Sequence, residues 1–172
     1  MSRLTLLALA LAHAAAFAQA PAPEAQLFRA PVPPAVSFEQ HPGAALPLSA
    51  AFTDSSGRAV RLGDELGRQP TLLMLGWHRC PQLCGLATQG VLEALHASGL
   101  PAGSARVLFV SVDPAESAAD AADRRRADLG YARLLAGGGE AVPTIERLVG
   151  PLASIQALAG RVGFNWQPGD AR

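Results

Sequence analysis

The 172-residue sequence contains no lysine; all fourteen of its cationic residues are arginine. Against fourteen acidic residues they leave a formal net charge of zero. A chain balanced in this way implies neither nucleic acid nor an anionic membrane surface as a partner. The arginine-only usage reads as compositional bias and carries no function. Cysteine is scarce too: Cys80 and Cys84 are the only two. None stands in the opening segment, which excludes lipid attachment at a leader cysteine. The opening apolar run, Leu4–Phe17, falls short of the roughly 20 apolar residues that a membrane-spanning helix wants. No internal repeat is present.

What is there begins with "MSRLTLLALALAHAAAFAQAPAPEAQ". A positive start at Arg3, an apolar stretch and an A-x-A group at Ala18–Ala20 form the layout of a secretory signal peptide. Cleavage is expected near Ala20, or alternatively near Ala18. This gives an exported protein, in the periplasm or on the outer face of the inner membrane, with residues 1–20 as signal peptide. Residues 21–47 are rich in proline and alanine and read as an extended linker. Residues 48–172 are then a single domain. Hydrophobic residues make up 49% of the chain, enough for a packed core.

Within that domain, Phe52, the turn signal Asp54–Gly57, Val60 and Leu62 predict a hairpin followed by a short turn at Gly63–Asp64. "PTLLMLGW" and "SARVLFVSVDP" are continuous apolar runs, expected as strands buried on both faces. Leu83, Leu86, Val91, Leu92 and Leu95 recur at helical spacing, with Gly99 as the stop. "ESAADAADRRRADLGYARLLAGGG" reads as a long polar-faced helix and "TIERLVG" as a short strand. "PLASIQALAGRVGF" reads as a helix opened by Pro151, and "FNWQ" as the start of something extended. The order β-β-β-α-β-α-β-α-β argues an α/β fold: a parallel or mixed sheet with helices on both faces. Cys80 falls just past the carboxyl end of the first buried strand and Asp113 at the same end of the next. Reactive groups gather at that end of open α/β sheets.

Cysteines four apart share a helix face, and a helix N-terminus favours thiolate over thiol. Such a pair could be a redox couple, a structural disulfide or a soft-metal clamp. A disulfide closing so short a ring removes little chain entropy, so a staple is poorly placed there. A thioredoxin-type couple uses one residue fewer between the sulfurs. A peroxidatic cysteine would have Thr three residues earlier, where Trp77 stands. Two soft thiolates suit Cu(I) best, with zinc as competitor, and an imidazole would complete a trigonal site. His13 leaves with the signal peptide, His96 is too far along its helix, and His41 lies in the linker. His78, two residues before Cys80, is a possible ligand; the plainer expectation is a partly exposed loop histidine.

The hairpin "FTDSSGRAVRLGDELG", the strand "TLLMLGW", "CPQLC", "VLFVSVDP" and "SIQALAGRVGF" together resemble the SCO/SenC family, over about Phe52–Trp166. Members are exported thioredoxin-fold proteins that help deliver copper to cytochrome c oxidase. The resemblance implies a thioredoxin-like mixed sheet with flanking helices. It also implies a copper site formed by Cys80 and Cys84, which also cycle through a disulfide, with Asp113 as the acidic residue near it. The implied partner is the copper-site subunit of the oxidase or another copper chaperone. Arg79 stands where the family commonly has histidine, and Gly85 where it commonly has proline. The family's copper-binding histidine follows the "VGF" segment, so the 48–172 domain is expected to be incomplete at its C-terminus, without that ligand and the last elements. Edge and core left open by a shortened sheet would make the product marginally stable. Two other readings stay open: a periplasmic thiol–disulfide oxidoreductase acting on cysteines of a partner metalloprotein, with Cys80 attacking and Cys84 resolving, and a non-catalytic binding module with an incidental disulfide. Pro143 of "AVPT" is expected to be an ordinary loop proline; a cis bond there, packed near Cys80, would favour the oxidoreductase.

Overall fold

A computed structural model describes residues 37–81, 83–139 and 141–166. These lie in one compact unit spanning residues 35–172. The signal peptide expected over 1–20 and most of the linker expected over 21–47 lie outside the described residues. No helix among the described residues is long and apolar enough to cross a membrane.

The strands are β1 (Ser37–Phe38), β2 (Ala51–Asp54), β3 (Ala59–Arg61), β4 (Thr71–Gly76), β5 (Arg106–Ser111), β6 (Thr144–Val149) and β7 (Phe164–Asn165). The helices are α1 (Leu62–Leu66), α2 (Leu83–Ala97), α3 (Ala118–Leu135) and α4 (Leu152–Val162). Five strands form one mixed sheet in the order β3-β2-β6-β5-β4. β4, β5 and β6 run parallel, with Thr71 beside Arg106 and Arg106 beside Thr144. β2 is antiparallel to β6, and β3 to β2. The register brings the carboxyl ends of the three parallel strands to one edge of the molecule.

The continuous apolar run of β5 is explained by its place between two helical layers. Leu108 and Val110 point into a cluster with Phe52, Leu148, Ile155 and Leu158, under α1 and α4. Val107 faces the other way, with Leu92, Ala132 and Ile145, under α2 and α3. β4 departs from the expectation of burial on both faces. Among the described residues it is paired on one side only, and Leu72 is 41% exposed.

The turn expected at Gly63–Asp64 is instead the short helix α1. Its first amides are bonded from outside the helix: Leu62 N–H to the Ala50 carbonyl and Gly63 N–H to that of Leu48. Such tertiary bonds leave no trace in local periodicity. α3 opens with a capping box in which Ser117 and Asp120 each receive the other's backbone amide. At its end the Gly138 amide reaches back to the Arg133 carbonyl at 2.8 Å. Gly138 takes the left-handed backbone at φ 86°. The hairpin turn is organised by Asp54, whose carboxylate accepts from the amides of Ser56 and Arg58 and from both their side chains. Burial opposes ionisation of Asp54, but these hydrogen bonds outweigh it and hold the carboxyl at about 2.

From Ser37 onward the segment read as linker is laid on the body. β1 pairs antiparallel with β7, Ser37 opposite Asn165 and Phe38 opposite Phe164. The Glu39 amide donates to the Gly163 carbonyl at 2.8 Å. Gly163 ends α4 at φ 73°, and a Cβ there would lie 1.7 Å from the Glu39 carbonyl oxygen, so only glycine permits the crossing.

Candidate metal centre

β4 ends at Gly76, the chain turns at His78–Arg79, and α2 starts at Leu83. Cys80 therefore stands in the loop at the carboxyl end of β4, and Cys84 in the first turn of α2. Both are thiols, each partly shielded. The Cys84 amide, one of the donors a helix start leaves without an intrahelical partner, points at the Cys80 sulfur at 3.5 Å. Its positive end and that of the helix face this sulfur. Burial pushes the Cys84 thiol up and neighbouring Cys80 adds to the rise, while a hydrogen bond from the Trp77 backbone acts the other way. Gly76 makes room for the pair. A Cβ there would meet the Phe109 ring at 2.8 Å and the Cys84 sulfur at 3.3 Å. On the far side, the Arg124 guanidinium from α3 comes over Gly85, close enough that a Cβ would meet Nη2 at 2.5 Å.

His78 departs from the partly exposed loop residue expected of it. It is 1% exposed and packs against Phe109. Its Nε2–H donates to the Leu148 carbonyl at 3.1 Å, and Nδ1 accepts from Arg147 Nη1 at 3.2 Å. Burial and then the Arg147 charge push its pKa down, so the ring is a neutral imidazole. With both nitrogens taken inside the core, His78 has none to offer a metal as it stands. The reason is the turn at 78–79: the extended backbone that would have put His78 and Cys80 on one side does not continue past Trp77.

Asp113 is brought to the same rim. One carboxylate oxygen caps the turn after β5 by accepting from the Ala115 amide at 2.8 Å, and the other meets Arg79 Nη2 at 3.4 Å. It thus acts as a turn cap and also pairs with the residue next to Cys80. His41 lies elsewhere, its Nδ1 3.3 Å from the Arg161 carbonyl. His96 is in the last turn of α2. Pro143 precedes β6 and so lies at the amino ends of the parallel strands, opposite the carboxyl ends where Cys80 stands. Among the described residues no group of three or more His, Cys, Asp and Glu side chains is placed to hold a metal ion.

The sequence reading did not single out Glu116. Its buried carboxylate accepts from the His78 and Arg79 amides, each at 2.7 Å, and from the Ser111 hydroxyl at 2.6 Å. Arg79 Nε is 3.8 Å away. One carboxylate thus holds the two residues that lead into Cys80. Its position three residues after Asp113, at the strand end where reactive groups collect, was the available signal. Leu83 and Leu86, which carry the helical spacing with Val91, Leu92 and Leu95, are 73% and 63% exposed. They lie on the outward side of α2, because the helix turns its Thr88–Leu92 face inward instead.

Comparison with known proteins follows the same lines. The chain is similar in structure to a candidate electron transport protein from Aquifex aeolicus VF5, at 18% identity and TM-score 0.57, with 74% of each chain covered. Arabidopsis thaliana ScoI with copper bound matches at 18% identity and TM-score 0.50, over 65% of this chain and 62% of that one. Bradyrhizobium japonicum ScoI with copper bound is 27% identical, over 69% and 67%, at TM-score 0.49. The fold is thioredoxin-like, with the mixed sheet and flanking helices expected. No curated protein matches the sequence. The SCO1/SenC family model matches residues 43–128, half of the chain, and takes in the hairpin, both cysteines, Asp113 and Glu116. On that match the chain belongs to the SCO1/SenC family.

Proposed function

We propose that this protein is an exported copper carrier that binds Cu(I) through the sulfurs of Cys80 and Cys84 and hands it to the copper-site subunit of a cytochrome c oxidase or to another copper chaperone. The observation that carries the reading is the sulfur pair itself: two thiols joined by the Cys84 amide at the mouth of α2, on the open rim of the sheet. The donor set fits the ion, since two soft thiolates suit a soft monovalent cation better than they suit zinc or a hard metal. Family membership and the copper held by the Arabidopsis relative support it.

Loading is a ligand exchange. Each thiol gives up a proton, Cu(I) accepts one electron pair from each sulfur, and two protons are released, so binding tightens as pH rises. A Cys80–Cys84 disulfide has no thiolate to offer, so oxidation and metal loading exclude each other. With no third donor from the described side chains, a partner's ligand can enter the site and draw the ion away.

The test is an anaerobic titration of reduced protein with Cu(I) against a chromophoric chelator, with X-ray absorption on the product. Sulfur–copper scattering and about one ion per chain are expected, both lost in Cys84→Ser. Absence of a sulfur–copper signal in the parent protein removes the reading. Export is tested separately, by the N-terminal residue of the mature protein from a fractionated cell.

The asymmetry of the two sulfurs favours a second reading, reduction of a partner's disulfide. Cys80, which receives the helix amide, would attack one partner sulfur and release the other as a thiol. Cys84 would then attack the Cys80 sulfur of the mixed disulfide and release the partner's second sulfur as a thiol, leaving the partner as a dithiol and this pair oxidised. Pro143 lies away from the sulfurs, which withholds from this reading the proline contact expected of it. Turnover of a model disulfide at a rate no faster than that of free cysteine counts against it.

A further inference from the structure

Arg147 of β6 takes no part in the metal centre as drawn above, yet it is the largest fully buried side chain among the described residues, 1% exposed. Its nitrogens are shared among three elements. Nε donates to Asp128 of α3 at 2.6 Å, Nη1 to His78 Nδ1 at 3.2 Å and Nη2 to the Thr88 hydroxyl at 3.2 Å. The guanidinium lies 4.2 Å over the Phe109 ring. Thr88 in turn donates its hydroxyl hydrogen to the Cys84 carbonyl at 3.0 Å. One side chain thus reaches the turn two residues before Cys80 and, through a single hydroxyl, Cys84 itself.

Stability gives no reason for this arrangement. A buried ion pair replaced by apolar side chains of similar volume is often as stable or more so. Its geometry gives one, because the planar guanidinium has fixed donor directions and holds its three acceptors at set positions.

We propose that Arg147, held in place by Asp128, is a positioning residue that fixes the spacing of the two sulfurs by tying the loop before Cys80 and the first turn of α2 to one rigid group. Its bearing on copper rests on the function proposed above; its bearing on the thiol pair does not.

Two variants test it. Asp128→Leu combined with Arg147→Met removes both charges and fills the space. Thr88→Val cuts only the link to Cys84, and carries the test alone if the double variant does not fold. Each is equilibrated in a glutathione redox buffer. There the Cys80–Cys84 disulfide takes two electrons and two protons from two glutathione molecules, giving two thiols and one glutathione disulfide. The network is formed in the dithiol state, so its loss is expected to displace this equilibrium about tenfold toward the protein disulfide, about 30 mV for a two-electron couple. Cu(I) affinity, read against a chelator, is expected to fall about tenfold. A potential unchanged in both folded variants, or displaced toward the dithiol, overturns the proposal whatever copper does. A parent that binds no Cu(I), with variants that still shift the potential as expected, sinks the copper reading and supports the positioning role.

Discussion

At the scale of single residues, the sulfur pair depends on groups that never touch it. Glu116→Ala would leave the His78 and Arg79 amides without their acceptor. An orphaned buried donor costs about 1–3 kcal/mol, so with water reaching the Arg79 side a loss of about 2–3 kcal/mol is expected from urea unfolding of the reduced protein. Gly76→Ala would press a methyl group on the Phe109 ring and the Cys84 sulfur. Overpacking of this kind costs about 1–3 kcal/mol, measurable in the same way. The nearness of Cys80 and Cys84 was legible in their spacing of four, although the loop before α2 and the Cys84 amide bring them together, not a helical turn spanning both. Glu116, Thr88 and Arg147 were not, because they come from a loop, a helix and a strand far apart in sequence that meet only in the folded domain. His78 was misjudged for a related reason: a two-residue turn decides which way it points, and periodicity does not register so short a feature.

At the scale of elements, caps and turns give the clearest expectations. Ser117→Ala removes the acceptor for the Asp120 amide and one half of the capping box of α3. A loss of about 1 kcal/mol is expected, seen as a lowered urea midpoint. The hairpin turn predicts a pH dependence. The Asp54 carboxyl is held at about 2, below its ordinary 3.8. Its contribution to stability is therefore fully present above about pH 4 and is lost as pH falls toward 2. In Asp54→Asn, unfolding free energy followed from pH 5 to pH 2 should fall less steeply than in the parent. Long elements were legible because their patterns repeat: β5 by its unbroken apolar run, α3 by its length and glycine exit, the β2–β3 hairpin by Asp54–Gly57. α1 was not, because five residues make little more than a turn and outside carbonyls supply its bonds. Leu83 and Leu86 fitted the helical pattern but lie outside the inward face, a distinction that spacing alone does not draw.

At the scale of the whole molecule, the proposed ligand is coupled to folding. A cation bound only by the folded dithiol stabilises it by mass action, by about 2.7 kcal/mol when the free ion is at a hundred times its dissociation constant. Reduced protein loaded with Cu(I) should therefore melt several degrees above the metal-free form in anaerobic calorimetry. Oxidised protein and Cys84→Ser should show no such rise. The other expectation at this scale comes from the clasp of β1 on β7, two residues against two, which joins positions more than a hundred apart in sequence. So small a contact must close late, after the main sheet has already drawn α4 into place, and it can unfasten without disturbing that sheet. Hydrogen–deuterium exchange should find the Phe38 and Glu39 amides relabelling far sooner than those of β5, and a protease should nick this strap while leaving the rest of the body whole.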